Sequence, residues 1–120
     1  MLSIPTEETI SVEWFNACFA RGSLKGTVTG FDAERVGTGQ IGKCVRYTLC
    51  FSDQGELPAS VVGKFPSDDE NSRQTGVVLL NFLKEVRFYQ ELQHRIAIKT
   101  PRCYFAEIID QGPEFFLLLQ

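Results

Sequence analysis

The residues best suited to chemistry are a glycine run, Gly37-Thr38-Gly39-Gln40-Ile41-Gly42, and two opposite charges in apolar surroundings, Lys64 and Glu85. A Gly-x-Gly-x-x-Gly turn lets backbone N–H groups approach a charged ligand with no side chain in the way, which suits phosphates. The same pattern serves dinucleotide-binding proteins, kinases and plain tight turns, so the segments around it decide its meaning. Lys64 projects from the apolar segment Ala59-Ser60-Val61-Val62-Gly63-Lys64-Phe65-Pro66. Glu85 has Phe82 three residues before it, Phe88 three after and Tyr89 four after, so a helix would surround it with apolar groups on its own face. An unpaired buried carboxylate is costly, and the lysine has the mirror-image problem. Packing the helix across the strand lets each neutralise the other. The alternatives are an edge-strand lysine pointing to water and a glutamate that rims a solvated face with Lys84 and Arg87.

The segment after the glycines separates these uses. Val45, Tyr47, Leu49 and Phe51 alternate with Cys44, Arg46, Thr48 and Cys50, a period of two that predicts a strand. A dinucleotide-binding turn needs a helix to open at its last glycines, because the helix N-terminus binds the pyrophosphate. A strand there puts the glycines at the bend of a β-hairpin and disfavours a Rossmann-type oxidoreductase.

The elements that must hold these residues follow from the rest of the chain. Residues 10–22 read as a short helix, capped by Ser11, with Glu13 in its positive first turn, Gly22 as its stop, and Trp14, Phe15, Cys18, Phe19 and Arg21 toward a core. Residues 26–36, with Val28, Phe31 and Val36, read as the strand entering the glycine turn. Residues 52–58 are turn chemistry, and residues 59–66 form a short strand closed by Pro66. The acidic cluster of Ser67-Asp68-Asp69-Glu70 marks a helix start, and residues 75–95 carry a long helical pattern. Lys84, Arg87, Glu91 and Arg95 form its polar side, and Val78, Phe82, Phe88, Tyr89 and Leu92 its apolar side, with His94 and Arg95 near the last carbonyls. Residues 101–110 are strand-like, Gln111-Gly112-Pro113 turns the chain, and Phe115-Phe116-Leu117-Leu118-Leu119 suggests a strand buried on both faces. An apolar run this close to the last residue predicts either further protein beyond it or a partner that covers it.

With 120 residues the chain is one domain at most. Its 12 basic and 15 acidic side chains give a net charge of −3, which argues against nucleic acid and anionic membrane surfaces as partners. The four cysteines, Cys18, Cys44, Cys50 and Cys103, lack Cys-x-x-Cys spacing and have one histidine among them, so free buried thiols are expected rather than a zinc site. The sequence has no basic-then-apolar leader and no apolar window of membrane-spanning length, and a reducing cytoplasm is the expected location.

Gly37-x-Gly39-x-x-Gly42, Val61-Val62-Gly63-Lys64 and Lys84-Glu85-Val86-Arg87-Phe88-Tyr89 stand in the order of the small N-terminal lobe of the protein-kinase-like fold. The wording of Gly37-Thr38-Gly39-Gln40, Val62-Gly63-Lys64-Phe65-Pro66, Glu85-Val86-Arg87-Phe88-Tyr89 and Thr100-Pro101-Arg102-Cys103-Tyr104 resembles the aminoglycoside phosphotransferase and choline-kinase superfamily, nearest its ecdysteroid-kinase-like branch. The resemblance runs from the first helix to Gln120. It implies an α+β fold: a five-stranded antiparallel sheet with one long packed helix and an N-terminal helix, all of residues 1–120 forming the nucleotide-binding lobe.

The function it implies is that of an ATP-dependent small-molecule kinase. Gly37, Thr38, Gly39, Gln40, Ile41 and Gly42 would cover the nucleotide phosphates, Lys64 would hold the α- and β-phosphates, and Glu85 would orient Lys64. Leu119 and Gln120 resemble the start of the hinge whose backbone receives adenine. Cys44 stands where protein kinases have the valine that roofs the adenine, with Val45 one place later, which leaves the register of the flap between them open. The catalytic Asp of the family's His-Gly-Asp type loop and its metal-binding Asp belong to a larger C-terminal lobe and have no counterpart here. Mg2+ ligands and the site for the small-molecule hydroxyl substrate are therefore expected outside these residues, and the 120 residues alone are not expected to turn over. The competing function is a non-catalytic interaction module that keeps the lobe fold and docks a partner, or a second copy, through its apolar C-terminal end.

Overall fold

A hydrogen bond from the Trp14 N–H to Ser11 Oγ, 3.1 Å long, closes the first turn of helix α1 (Val12–Arg21). At its other end the Gly22 N–H returns to the carbonyls of Cys18 and Phe19. The computed structural model describes residues 2–36, 42–66, 81–92, 102–109 and 114–120. Within them the chain continues through strands β1 (Thr27–Val36), β2 (Gly42–Asp53) and β3 (Ser60–Pro66), helix α2 (Asn81–Arg87), a π-helical segment (Phe88–Leu92), and strands β4 (Cys103–Ile108) and β5 (Phe115–Leu119). The protein is thus α+β, as expected. The expected glycine turn, residues 67–80, residues 93–101 with His94 and Arg95, and the turn at 110–113 lie outside the described residues.

The strands form one antiparallel sheet in the order β1-β2-β3-β5-β4. Its last strand in sequence, β5, lies between β3 and β4, with Phe116 and Leu118 packed on the α1 side and Phe115, Leu117 and Leu119 on the α2 side, so all five residues Phe115 to Leu119 are buried. This accounts for the unbroken apolar run, and it corrects the picture of an exposed apolar C-terminal end: the sheet and its helices already cover it. Burying side chains of this size stabilises the fold by about 2 kcal/mol each.

One face of the sheet packs on α1. Trp14, Phe15, Cys18 and Phe19 meet Val45, Tyr47, Leu49, Val61, Phe65, Phe105, Phe116 and Leu118 there. The Trp14 ring stands edge-on to Phe105 at 5.1 Å and to Phe116 at 5.4 Å, a geometry that adds about 1 kcal/mol per pair beyond area burial. Arg21, expected on the core side, is exposed, with its guanidinium 4.8 Å over the Phe105 ring.

The opposite face receives α2, which packs against β4 and β5. Val86, which the helical pattern did not place on the buried side, is fully buried with Phe115, Leu117 and Leu119, and Tyr89 packs beside them. The expected uniform helix widens into a π turn at Phe88. That turn keeps Tyr89 on the cluster while Gln90 Nε2 donates to the Ala106 carbonyl of edge strand β4 at 2.8 Å. Lys84, Arg87 and Glu91 face solvent, as their spacing predicts. Of the four free thiols, Cys18 is buried, Cys44 and Cys103 are half-buried and Cys50 is exposed, so the expectation of buried thiols holds in full only for Cys18.

Candidate functional site

Cross-strand partners share a face of a sheet, so the register alone shows which residues stand together. One row crosses all five strands as Val36, Cys44, Lys64, Leu117 and Ala106; the next, two residues along, reads Glu34, Arg46, Val62, Leu119 and Cys103. Both rows lie on the face on which, among the described residues, α2 packs against β4 and β5. Lys64, on the next strand, stands beside that contact.

The pairing of Lys64 with Glu85 is present. Lys64 Nζ donates to Glu85 Oε2 at 2.8 Å, tying the middle strand to α2. The lysine side chain is 32% exposed and the glutamate 41%, so the pair stands at the rim of the core and is not enclosed in it. Burial works to lower the Lys64 pKa, but the hydrogen bond and charge of Glu85, together with the neighbouring Cys44 and Tyr89, outweigh it and hold the ammonium above its ordinary value. The lysine is a fixed, fully protonated cation at neutral pH, with part of its surface open to a ligand.

The register places Cys44 and Val45 on opposite faces of the sheet. Cys44 lies directly across from Lys64, half-buried on the same face, whereas Val45 is buried against α1 on the other. Val36 and Val62, flanking Cys44 in the two rows, are likewise half-buried. Together they form a small, half-buried apolar surface next to a cation.

The other expected site residues divide. Gly37, Thr38, Gly39, Gln40 and Ile41 lie outside the described residues. Gly42 opens β2 opposite Pro66, and a Cβ there would stand 2.9 Å from the Phe65 carbonyl oxygen, so close strand approach already requires glycine at this position. Leu119 shares the Lys64 face, across from Val62, but its side chain is buried in the α2 cluster. The Gln120 N–H donates to the Arg102 carbonyl at 2.9 Å, and Gln120 Oε1 accepts from the Tyr104 hydroxyl at 3.2 Å. Its amide N–H is thus committed within the sheet.

A second polar cluster escaped the sequence reading. Glu7 accepts from Arg35 Nη2 at 2.9 Å and Nε at 3.3 Å, and from Lys43 Nζ at 3.0 Å. It borders a cleft of about 290 Å3 lined by Thr6, Glu8, Lys43, Phe65, Pro66 and Glu114 among others. This cleft is at the end of the sheet and includes neither Lys64 nor Glu85. Ion pairs 28 and 36 residues apart leave no periodic signal.

Among the described residues no group of three or more His, Cys, Asp or Glu is placed to hold a metal ion, and no helix is long and apolar enough to cross a membrane. Comparison with protein-family models, with curated proteins and with solved structures yields no match.

Proposed function

We propose that this chain is the nucleotide-binding lobe of an ATP-dependent small-molecule kinase, of the kind that transfers the γ-phosphate to a hydroxyl group. The observation that carries this reading is the Lys64–Glu85 pair, both of whose side chains are partly exposed. A phosphate-binding cation must be charged, oriented and reachable at once, and a lysine held by a carboxylate at a half-exposed position meets all three conditions.

The surroundings fit a purine nucleotide. Cys44, one strand spacing from Lys64, Val36 one strand further on and Val62 two residues along Lys64's own strand offer a half-buried apolar surface for the flat face of a base. The triphosphate would run from that surface toward Lys64 and the start of β2 at Gly42. In this pose Glu85 touches no ligand and keeps the ammonium aimed at the phosphates. Mg2+ would accompany the triphosphate, with ligands from residues other than those described.

Phosphoryl transfer further needs a base that receives the substrate hydroxyl proton. No residue described here is assigned to that role, and the acceptor site is likewise left to residues beyond this face. The test is direct binding of Mg-ATP to the chain, followed by Lys64→Ala. Saturable binding that weakens at least tenfold in the variant, with the fold intact, supports the reading. Absence of binding, or binding indifferent to Lys64, overturns it.

A further inference from the structure

The residues before α1 are built as a fixed strap. The Trp14 indole Nε1 donates to the Ser3 carbonyl at 2.8 Å, Pro5 and Ile10 are buried, and Thr6 and Thr9 close a turn on each other. The Thr6 N–H donates to Thr9 Oγ1 at 2.8 Å, and the Ile10 N–H returns to the Thr6 carbonyl at 3.0 Å. Glu7 stands on that turn, so its carboxylate is presented from a pinned piece of backbone.

What it reaches is specific in place. Arg35 is next to the last residue of β1 and Lys43 next to the first of β2, the two strands that the glycine run joins. Arg35 pairs across with Val45, which puts Arg35 and Lys43 diagonally opposite each other on the α1 face. Like charges so placed repel and favour splaying of the strand ends. One carboxylate bonded to both offsets that repulsion and draws the ends together. Lys43 is largely buried, its side chain 13% exposed, so the contact is not a loose surface pair.

We propose that Glu7 is a positioning residue: from the face opposite Lys64 it holds the adjoining ends of β1 and β2, and thereby sets Val36, Gly42 and Cys44 in place for a nucleotide. Its consequence for ligand affinity rests on the nucleotide reading above; its hold on the strand ends does not. Glu7 touches no ligand in this arrangement, because the sheet lies between it and the Lys64 face.

The experiment compares amide hydrogen exchange and Mg-ATP affinity in the intact chain and in Glu7→Gln, Glu7→Asp and Arg35→Gln. In Glu7→Gln, exchange at residues 36 and 42–45 is expected to accelerate about fivefold while β3, β5 and α1 keep their rates, with Glu7→Asp recovering part of the protection. Arg35→Gln is expected to give the same local pattern. Mg-ATP affinity is expected to fall about fivefold in Glu7→Gln, as the strand ends loosen. Unchanged exchange at those residues, or an equal rise across the whole sheet, overturns the assignment. So does unaltered affinity in a protein whose strand ends have loosened. A wild-type chain that binds no Mg-ATP refutes the nucleotide reading and the affinity consequence together, while the exchange pattern still decides whether Glu7 holds the strand ends.

Discussion

Lys64 Nζ and Glu85 Oε2 stand 2.8 Å apart and join the central strand of the sheet to the helix that packs on β4 and β5. Both side chains are partly exposed, so solvent screens the pair and its contribution to folding is expected to be at most about 1 kcal/mol. Glu85→Gln should therefore shift the urea midpoint only slightly at pH 7 while weakening Mg-ATP binding. The folded-state pKa of Lys64 is raised, so whatever stability the ammonium contributes is complete below its ordinary value of 10.5 and is lost as pH climbs through the higher folded value. Urea titrations of both proteins from pH 8 to strongly alkaline solution check this: their difference should shrink only at the alkaline end.

Glu7 gives the opposite pH dependence. The hydrogen bond from Arg35 foremost, and then Lys43, outweighs burial and holds its carboxyl below the ordinary value of 4.5. A lowered folded pKa contributes stability that is complete above the unfolded value and is lost as pH falls through the folded one. Glu7→Gln is expected to cost about 1 kcal/mol at pH 7 and progressively less as the solution is acidified below 4.5. A difference between wild type and variant that persists undiminished at pH 2 would contradict this.

Gly63 lies beside Lys64 on β3 but faces α1. A Cβ there would come within 2.8 Å of Phe116 Cε1 and 3.2 Å of Tyr47 Cε2, both on fully buried rings. Gly63→Ala must push these rings or bend the strand, and a loss of about 1–3 kcal/mol is expected from chemical denaturation. Because the strand carries Lys64, the same variant is expected to bind Mg-ATP less tightly than its stability alone would dictate.

The four thiols should separate by reactivity. Burial pushes Cys18 and Cys103 up to about 11, leaving almost no thiolate at neutral pH. Exposed Cys50 and half-buried Cys44 are expected to alkylate first, as read by mass spectrometry of peptides after a short iodoacetamide pulse. Mg-ATP is expected to slow labelling of Cys44, on the Lys64 face, at least several-fold and to leave Cys50 untouched. Equal protection of both thiols, or of neither, would argue against a nucleotide over Cys44.

Much of this architecture is legible in residue order. The cap Ser11 and stop Gly22 bound α1, the alternation from Cys44 to Phe51 sets β2, and the run Phe115 to Leu119 marks a strand covered on both sides. Lys64 and Glu85 could be paired because each was a charge in an apolar setting. Their partial exposure was not legible, because local sequence does not say which strands of a sheet face a helix packs on. Val86 stands four residues after Phe82 and three before Tyr89, the spacing of one helix face, so its burial was legible and was missed because Glu85 was set at the centre of that face. Glu7 was invisible because its partners are brought to it by the sheet register and the strap, not by spacing.

The most direct measurement is a Mg-ATP titration followed through the methyl resonances of labelled isoleucines, valines and leucines. Val36 and Val62 share the Lys64 face, while Val45, Val61 and Leu118 are packed against α1 on the other. Saturable shifts of the Val36 and Val62 methyls, with Val45, Val61 and Leu118 nearly unmoved and the response lost in Lys64→Ala, are the expected result. No shift at saturating nucleotide, or shifts confined to residues around the Glu7 cleft such as Ile4, would contradict a nucleotide site on the Lys64 face.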